Sequence, residues 1–243
     1  MKKYLTALVC LFPSKIAVFF LKILGHKVSY SSKIGFSLVL VKKLNLEKKT
    51  KIGHLNFINI DLICFKEQAY IGHLNIIKGP FSLNFEKQGA IGNSNSLIRA
   101  SQGVSYGEAF LHLGELSKIT AKHKIDLTRS VHLGNFTTLA GIGSQIWTHG
   151  YLHDIEGPGR FRIDGEVIIE DNIYIGSATV INAGITIKKG ITIGSNSVVS
   201  KDLIESGMYV NQRLRFIEKS FEESKKELKK IEGENLVEEV YTK

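Results

Sequence analysis

The stretch "IEDNIYIGSATVINAGITIKKGITIGSNSVVSKDLI", residues 169–204, decides the fold. An aliphatic residue heads every sixth position: Ile169, Ile175, Ile181, Ile187, Ile193 and Val199. An α-helix repeats every 3.6 residues and an amphipathic strand every 2, so a period of six is neither. It suits one short strand and one turn. Three such units make an eighteen-residue triangular coil whose aliphatic heads point inward. The next coil stacks on top at about 4.8 Å. Glycine, asparagine and aspartate are expected at the corners, where they tolerate turn geometry.

The pattern continues upstream. Leu113, Ile119, Ile125 and Val131 keep the spacing, and Leu127, Leu133 and Leu139 keep it in a register shifted by two. Eight apolar-glycine pairs run from Ile34-Gly35 to Ile193-Gly194, with glycine-to-glycine steps of 18, 19, 20, 22, 20, 42 and 18. The 42-residue step is two coils plus a surplus, and "GPG" at 157–159 lies inside it. The chain therefore reads as an all-β solenoid of about nine triangular coils, roughly 40 Å tall. A loop insertion of about residues 149–165 is expected to leave the prism. No coil buries its face alone, so both ends need caps.

Two non-repeating ends are available, which gives three segments: 1–32, 33–214 and 215–243. From Ser14 onward Ile16, Phe19, Phe20 and Ile23 share one helical face, with Lys15 and Lys22 off it. This helix either packs on the body or another subunit, or makes peripheral membrane contact through residues 1–25. Pro13, Lys15 and Lys22 break the apolar runs below the roughly 20 residues a membrane span needs. At the other end, Ile217, Phe221, Leu228 and Ile231 suggest a C-terminal amphipathic helix with a tail.

Composition excludes some classes. The 43% hydrophobic content supports a packed core rather than disorder. Cys10 and Cys64 fit no zinc or redox spacing and suggest a reducing compartment. The net charge of +9 points to an anionic ligand or a membrane surface. No nucleic-acid-binding motif accompanies it, so nucleic acid is not an expected partner.

The hexapeptide run resembles the hexapeptide-repeat acyltransferases, whose fold is the left-handed parallel β-helix. The stretch "HKIDLTRSVHLGNFTTLAGIGSQIWTHG", residues 123–150, is similar to the subgroup that O-acetylates sugars of bacterial surface polysaccharides. "YIGSATVINAGITIKKGITIGSNSVVSKD", residues 174–202, is similar to the last coils of the galactoside, maltose and xenobiotic acetyltransferases. The resemblance implies acetyl-CoA as donor, a sugar or glycan acceptor, no metal, and a homotrimer with sites between subunits. It implies a cytoplasmic location, with or without attachment to the inner face of the membrane.

Roles then carry over by position. His149, in the "TH" motif, corresponds to the general base; imidazole has a suitable pKa to take a hydroxyl proton. His123 and Asp126, in "HKIDLT", are further catalytic candidates, Asp126 as a group that fixes an imidazole tautomer. Trp147 and His153 are candidate substrate contacts. Tyr174, Ser177, Ser195, Ser200 and Lys201 are candidate CoA contacts, with Arg213 and Arg215 as further cations for its phosphates. Three departures stand out. Ala121 and Lys122 replace an acceptor-binding asparagine, Tyr174 stands where tryptophan is common, and "VNQRLR" (210–215) replaces the usual "GNPAK".

Two other readings remain at this level. A zinc enzyme of the γ-carbonic anhydrase type would use His123, His149 and His153 as its three ligands. A non-catalytic trimeric scaffold would use none of them.

Overall fold

A computed structural model describes residues 1–101 and 105–211, with the backbone of 229–231 and 240–242. Residues 1–211 form one unit and residues 212–243 a second. In the first, short parallel strands stack into three faces of a left-handed β-helix. Face I holds nine strands, from Lys33–Ile34 through Lys118–Ala121 and Thr138–Ile142 to Gly207–Tyr209. Face II includes Ser96–Ile98, Lys124–Asp126, Gln145–Ile146, Val180–Ile181 and Val198–Val199. Face III includes Ser82–Phe85, Phe110–Leu113, Val131–Leu133, Val167–Ile169 and Thr186–Ile187. In the first two coils the strands of faces II and III fuse into Leu38–Leu46 and Phe57–Phe65. Lys42 and Lys43 are exposed in succession, where the period-2 alternation breaks to round the corner.

The six aliphatic heads from Ile169 to Val199 are all buried, as the six-residue period requires. So are Leu113, Leu127, Leu133 and Leu139. Each coil's heads sit directly on those of the next, for example Ile125 on Ile146 and Ile146 on Ile181. The core is therefore one continuous apolar column, closed lower down by stacked Phe65 and Phe85 with ring centroids 4.4 Å apart.

The corners differ from the sequence expectation. Twelve non-glycine residues occupy the left-handed backbone region, among them Leu55, Leu74, Leu116, Lys122, Phe136 and Ala178. Their strain is tolerated because the neighbouring coil holds each turn: Leu55, Leu116, Phe136 and Ala178 all donate their backbone N–H to a carbonyl one coil below. The repeat glycines serve a different need. Gly35 and Gly134 are not in that region, but a Cβ on Gly35 would lie 2.6 Å from the Gly53 carbonyl oxygen. They are glycines because consecutive coils approach closely there.

One corner, between faces I and II, is lined by a buried polar ladder. Asn56 accepts from Asn75, Asn75 from Asn95, and Asn95 Oδ1 from the backbone N–H of His123. Each amide satisfies a backbone group of the coil above, so this corner is fixed without apolar packing.

The N-terminal cap consists of α1, Lys2–Val9, and α2, Ser14–Ile23. Cys10, Val18 and Leu21 join the core column. Buried His26 ties α1 to the first coil: its Nε2 is 2.8 Å from Thr6 Oγ1, and its Nδ1 accepts the Leu44 N–H. Segment 1–32 thus belongs to the same unit as the solenoid. The expected C-terminal helix falls mostly outside the described residues. Within them, Lys229–Ile231 is a strand paired antiparallel with Val240–Thr242, so Ile231 is not helical.

Candidate active site

The 42-residue step contains a β-hairpin. His149–His153 pairs antiparallel with Arg160–Asp164, and Gly157–Gly159 lies at its tip. It leaves the prism at the corner between faces II and III, directly after the strand Gln145–Ile146. His149 is the first residue of the hairpin, so its backbone is held by the last rung of the prism.

One coil below, Asp126 ends the strand Lys124–Asp126. Its Oδ2 lies 2.8 Å from His149 Nδ1. The same oxygen accepts from the Thr148 backbone N–H at 3.0 Å and from the Thr148 hydroxyl. Oδ1 accepts from Thr128 Oγ1 at 2.9 Å. Burial alone would raise the Asp126 pKa. Hydrogen bonds from Thr148, His149 and Thr128 outweigh that and hold it below its ordinary 3.8. An ionised, acceptor-only carboxylate makes His149 Nδ1 the protonated nitrogen. In the neutral ring Nε2 then carries the free lone pair.

This pair lines a cavity of about 330 Å³ on face II. Its walls are mainly apolar, with Ile98, Ile125, Ile146 and Trp147 below and the hairpin's Tyr151 and Arg162 to one side. Arg162 is braced by Asp164, with Nε 2.7 Å from Oδ1 and Nη2 2.9 Å from Oδ2. Trp147 stands edge-on to His149 with ring centroids 6.3 Å apart and donates its Nε1–H to Gln145. Arg129 joins the wall to the hairpin base, donating its backbone N–H to Thr148 Oγ1 and approaching Glu166 at 3.4 Å.

The structure separates the three histidines. His123 is a rung of the buried corner ladder, 1% exposed. Its Nδ1 accepts the Ser144 N–H at 3.1 Å and its Nε2 is 2.9 Å from Thr120 Oγ1. Both ring nitrogens are engaged, and burial lowers its pKa to about 4. His123, expected to join the catalytic group, sits at the other end of the face II strand from Asp126, which pairs with His149. His153 is exposed at the far end of its strand, beside Arg160. Four residues of extended chain separate its backbone from that of His149 by about 13 Å. Among the described residues no three metal-ligating side chains converge.

The candidate CoA residues flank the upper part of face II. Ser177 and Ser195 lie at the corner with face I, and Ser200 and Lys201 at the corner with face III, in the same column as Trp147. Between them Val180 and Val198 present an apolar ridge, Val198 being 67% exposed. Tyr174 lies on face I, exposed, in register with Thr138 and Thr192. Arg213 and Arg215 lie outside the described residues. Sequence reasoning missed Thr128, Tyr151 and Arg162. Thr128 was legible as the second residue after Asp126, a spacing at which a threonine caps the carboxylate; the hairpin residues carried no such signal.

No protein-family model matches the chain. The bifunctional protein GlmU of Acinetobacter baumannii is 33% identical over 205 residues, 77% of this chain and 44% of that protein. The chain thus spans less than half the length of that relative. The chain carries a hexapeptide repeat and folds as a β-helix. Among solved structures, the hexapeptide-repeat chain is similar to the polysialic acid O-acetyltransferase OatWY: 14% identity, TM-score 0.49, 82% of this chain and 91% of that one. The polySia-specific acetyltransferase NeuO gives 18%, 0.42, 72% and 78%. AntD, a Bacillus cereus N-acyltransferase solved with dTDP and 3-hydroxybutyryl-CoA, gives 15%, 0.39, 82% and 86%.

Proposed function

We propose that this protein is an acetyl-CoA-dependent O-acetyltransferase. Its acceptor is a hydroxyl of a sugar in a bacterial surface polysaccharide or its precursor, and it works in the cytoplasm. The observation that carries the reading is the Asp126–His149 pair at 2.8 Å in the wall of a cavity large enough for a sugar.

Asp126 holds the imidazole with Nδ1 protonated, so Nε2 is the base. A sugar hydroxyl is a poor nucleophile at neutral pH. His149 removes its proton as the oxygen attacks the thioester carbonyl carbon. The carbon–sulfur bond then breaks, and the imidazolium returns the proton to the departing sulfur. Bound acetyl-CoA supplies the activated acyl carbon. Ser177, Ser195, Ser200 and Lys201 are the residues we assign to holding it, beside the Val180–Val198 ridge and above Trp147. We assign Tyr174, on face I, a contact with it from a neighbouring subunit. Trp147 and Tyr151 offer flat apolar faces for a sugar ring, and Arg162 offers hydrogen-bond donors. His153 lies too far along the hairpin for the same ring and would meet a longer glycan only.

A homotrimer with sites between subunits completes this reading. In its support, the hairpin exposes Leu152, Phe161 and Ile163 on an arm that projects from the prism. Exposed apolar surface of this kind marks an interaction site, and we assign it to a second copy.

The test is thiol release from acetyl-CoA by the purified protein with surface-glycan acceptors, the acetylated product being identified by mass spectrometry. Acetyl-CoA left intact, with no binding by calorimetry, would reject the reading.

A further inference from the structure

The N-terminal cap carries two apolar faces, and the core uses only one. In α2, Ala17, Val18 and Leu21 are buried against the first coil. The opposite face presents Ile16 (44% exposed), Phe19 (52%), Phe20 (44%) and Ile23 (65%). In α1, Thr6 and Ala7 are buried, as is Cys10 at its end, while Tyr4, Leu5 and Leu8 are exposed. Leu11 and Phe12, between the helices, are also exposed. In α2 the outward residues recur at i, i+3, i+4 and i+7, the spacing of a second amphipathic stripe, and in α1 Tyr4 and Leu8 lie one turn apart with Leu5 beside them.

The charge lies at the same end. Residues 1–51 carry eleven lysines and one glutamate, a charge of +10. The other 192 residues carry 21 basic and 22 acidic side chains, a charge of −1. The +9 of the whole chain is thus confined to the two helices and the first coil with its edge. Lys2, Lys15, Lys22, Lys27, Lys33, Lys48, Lys49 and Lys51 are exposed there. Lys22 lies 4.2 Å over the ring of Tyr30, which places a cation and an aromatic edge together at the rim of the apolar stripe.

We infer that the N-terminal cap docks on an anionic lipid surface, α1 and α2 lying in the interface with Phe19, Phe20 and Ile23 inserted among the acyl chains. An apolar stripe bordered by lysines matches a membrane, which offers anionic headgroups over a hydrocarbon layer. A second copy of this chain would bring a like charge of +10 against the same face. Neither helix is long and apolar enough to cross a bilayer, so the cap lies on it. The inference does not depend on the catalytic reading. Docking at this end holds the His149 cavity five coils, about 24 Å, from the cap along the prism.

The test is sedimentation of the full-length protein with phosphatidylcholine vesicles made with and without phosphatidylglycerol. The protein is expected to sediment with the anionic vesicles and to be released by salt. A Phe19→Ser/Phe20→Ser variant and a Lys15→Glu/Lys27→Glu variant should each bind at least about tenfold more weakly. All four residues are exposed, so an unchanged thermal melt is expected and shows that the fold is kept. No sedimentation, or equal sedimentation with both vesicle types, overturns the inference. So does concentration-dependent self-association, abolished by the aromatic variant, in protein that ignores lipid; that result would make a second copy the occupant.

Discussion

Asp126 and His149 are 23 residues apart in sequence and 2.8 Å apart in space, because the strand that ends in Asp126 lies one coil below the strand that leads to His149. The pair is made by stacking, and Thr128 and Thr148 also hold the carboxylate. Replacing His149 by alanine is expected to lower kcat for acetyl transfer by about 10²–10⁴-fold, the usual share of a general base. His149 opens an exposed hairpin, so the melting temperature should hardly change. Thiol-release kinetics beside a thermal melt make the check; unchanged turnover removes His149 from the mechanism.

Asp126→Asn should act differently. An amide can offer its nitrogen to Nδ1, which favours the wrong tautomer, so kcat should fall while KM stays near its original value. Stability should fall too, since Thr128 and Thr148 lose a charged acceptor. The Asp126 pKa is depressed in the folded protein. Its contribution is therefore complete above its unfolded value and is lost as pH falls below about 4 through the folded one. The variant should show a smaller loss of stability between pH 5 and pH 2, measured by urea midpoints.

Much of this was legible in the chain. The period of six from Ile169 to Val199 sets which side chains face inward, and every one does. The 42-residue step located the hairpin, because an insertion in a strict repeat has to leave the prism. The roles of His123 and His149 were not separable by spacing. Both follow a strand and both are near polar residues. Only the stack shows that His123 continues a column of buried asparagines, whereas His149 meets Asp126 at the opposite corner. The corners were misread for a similar reason. A turn read alone favours glycine in the left-handed region, but neighbouring coils hold Leu116 and Phe136 there.

That difference predicts opposite outcomes two residues apart. Gly134 is not left-handed, yet an added Cβ would lie 2.7 Å from the Glu170 carbonyl carbon in the coil above. Gly134→Ala should destabilise the protein by about 1–3 kcal/mol through forced separation of the coils. Phe136 has a φ of 56° and is 52% exposed. Phe136→Gly removes a left-handed penalty of about 1–2 kcal/mol against a gain in unfolded-state entropy of about 1 kcal/mol, so it should be neutral or mildly stabilising. Urea denaturation of the two variants decides it. A Gly134→Ala protein as stable as the parent would show that the coils can part at no cost.

His123 supplies a prediction about pH. Its folded pKa is about 4, because burial disfavours the charged ring. His26, in the cap, is lowered to about 4 by burial and by the nearby Lys2 charge. Unfolded, each binds a proton near its ordinary 6.5. Between those values the unfolded chain holds more protons, so stability must fall as pH drops from 6.5 toward 4. His123→Asn continues the asparagine column with a side chain that does not titrate. It should keep the fold, flatten part of that pH dependence, and leave acetyl transfer with the same pH profile as the parent. A variant that remains folded but loses turnover would return His123 to the catalytic group.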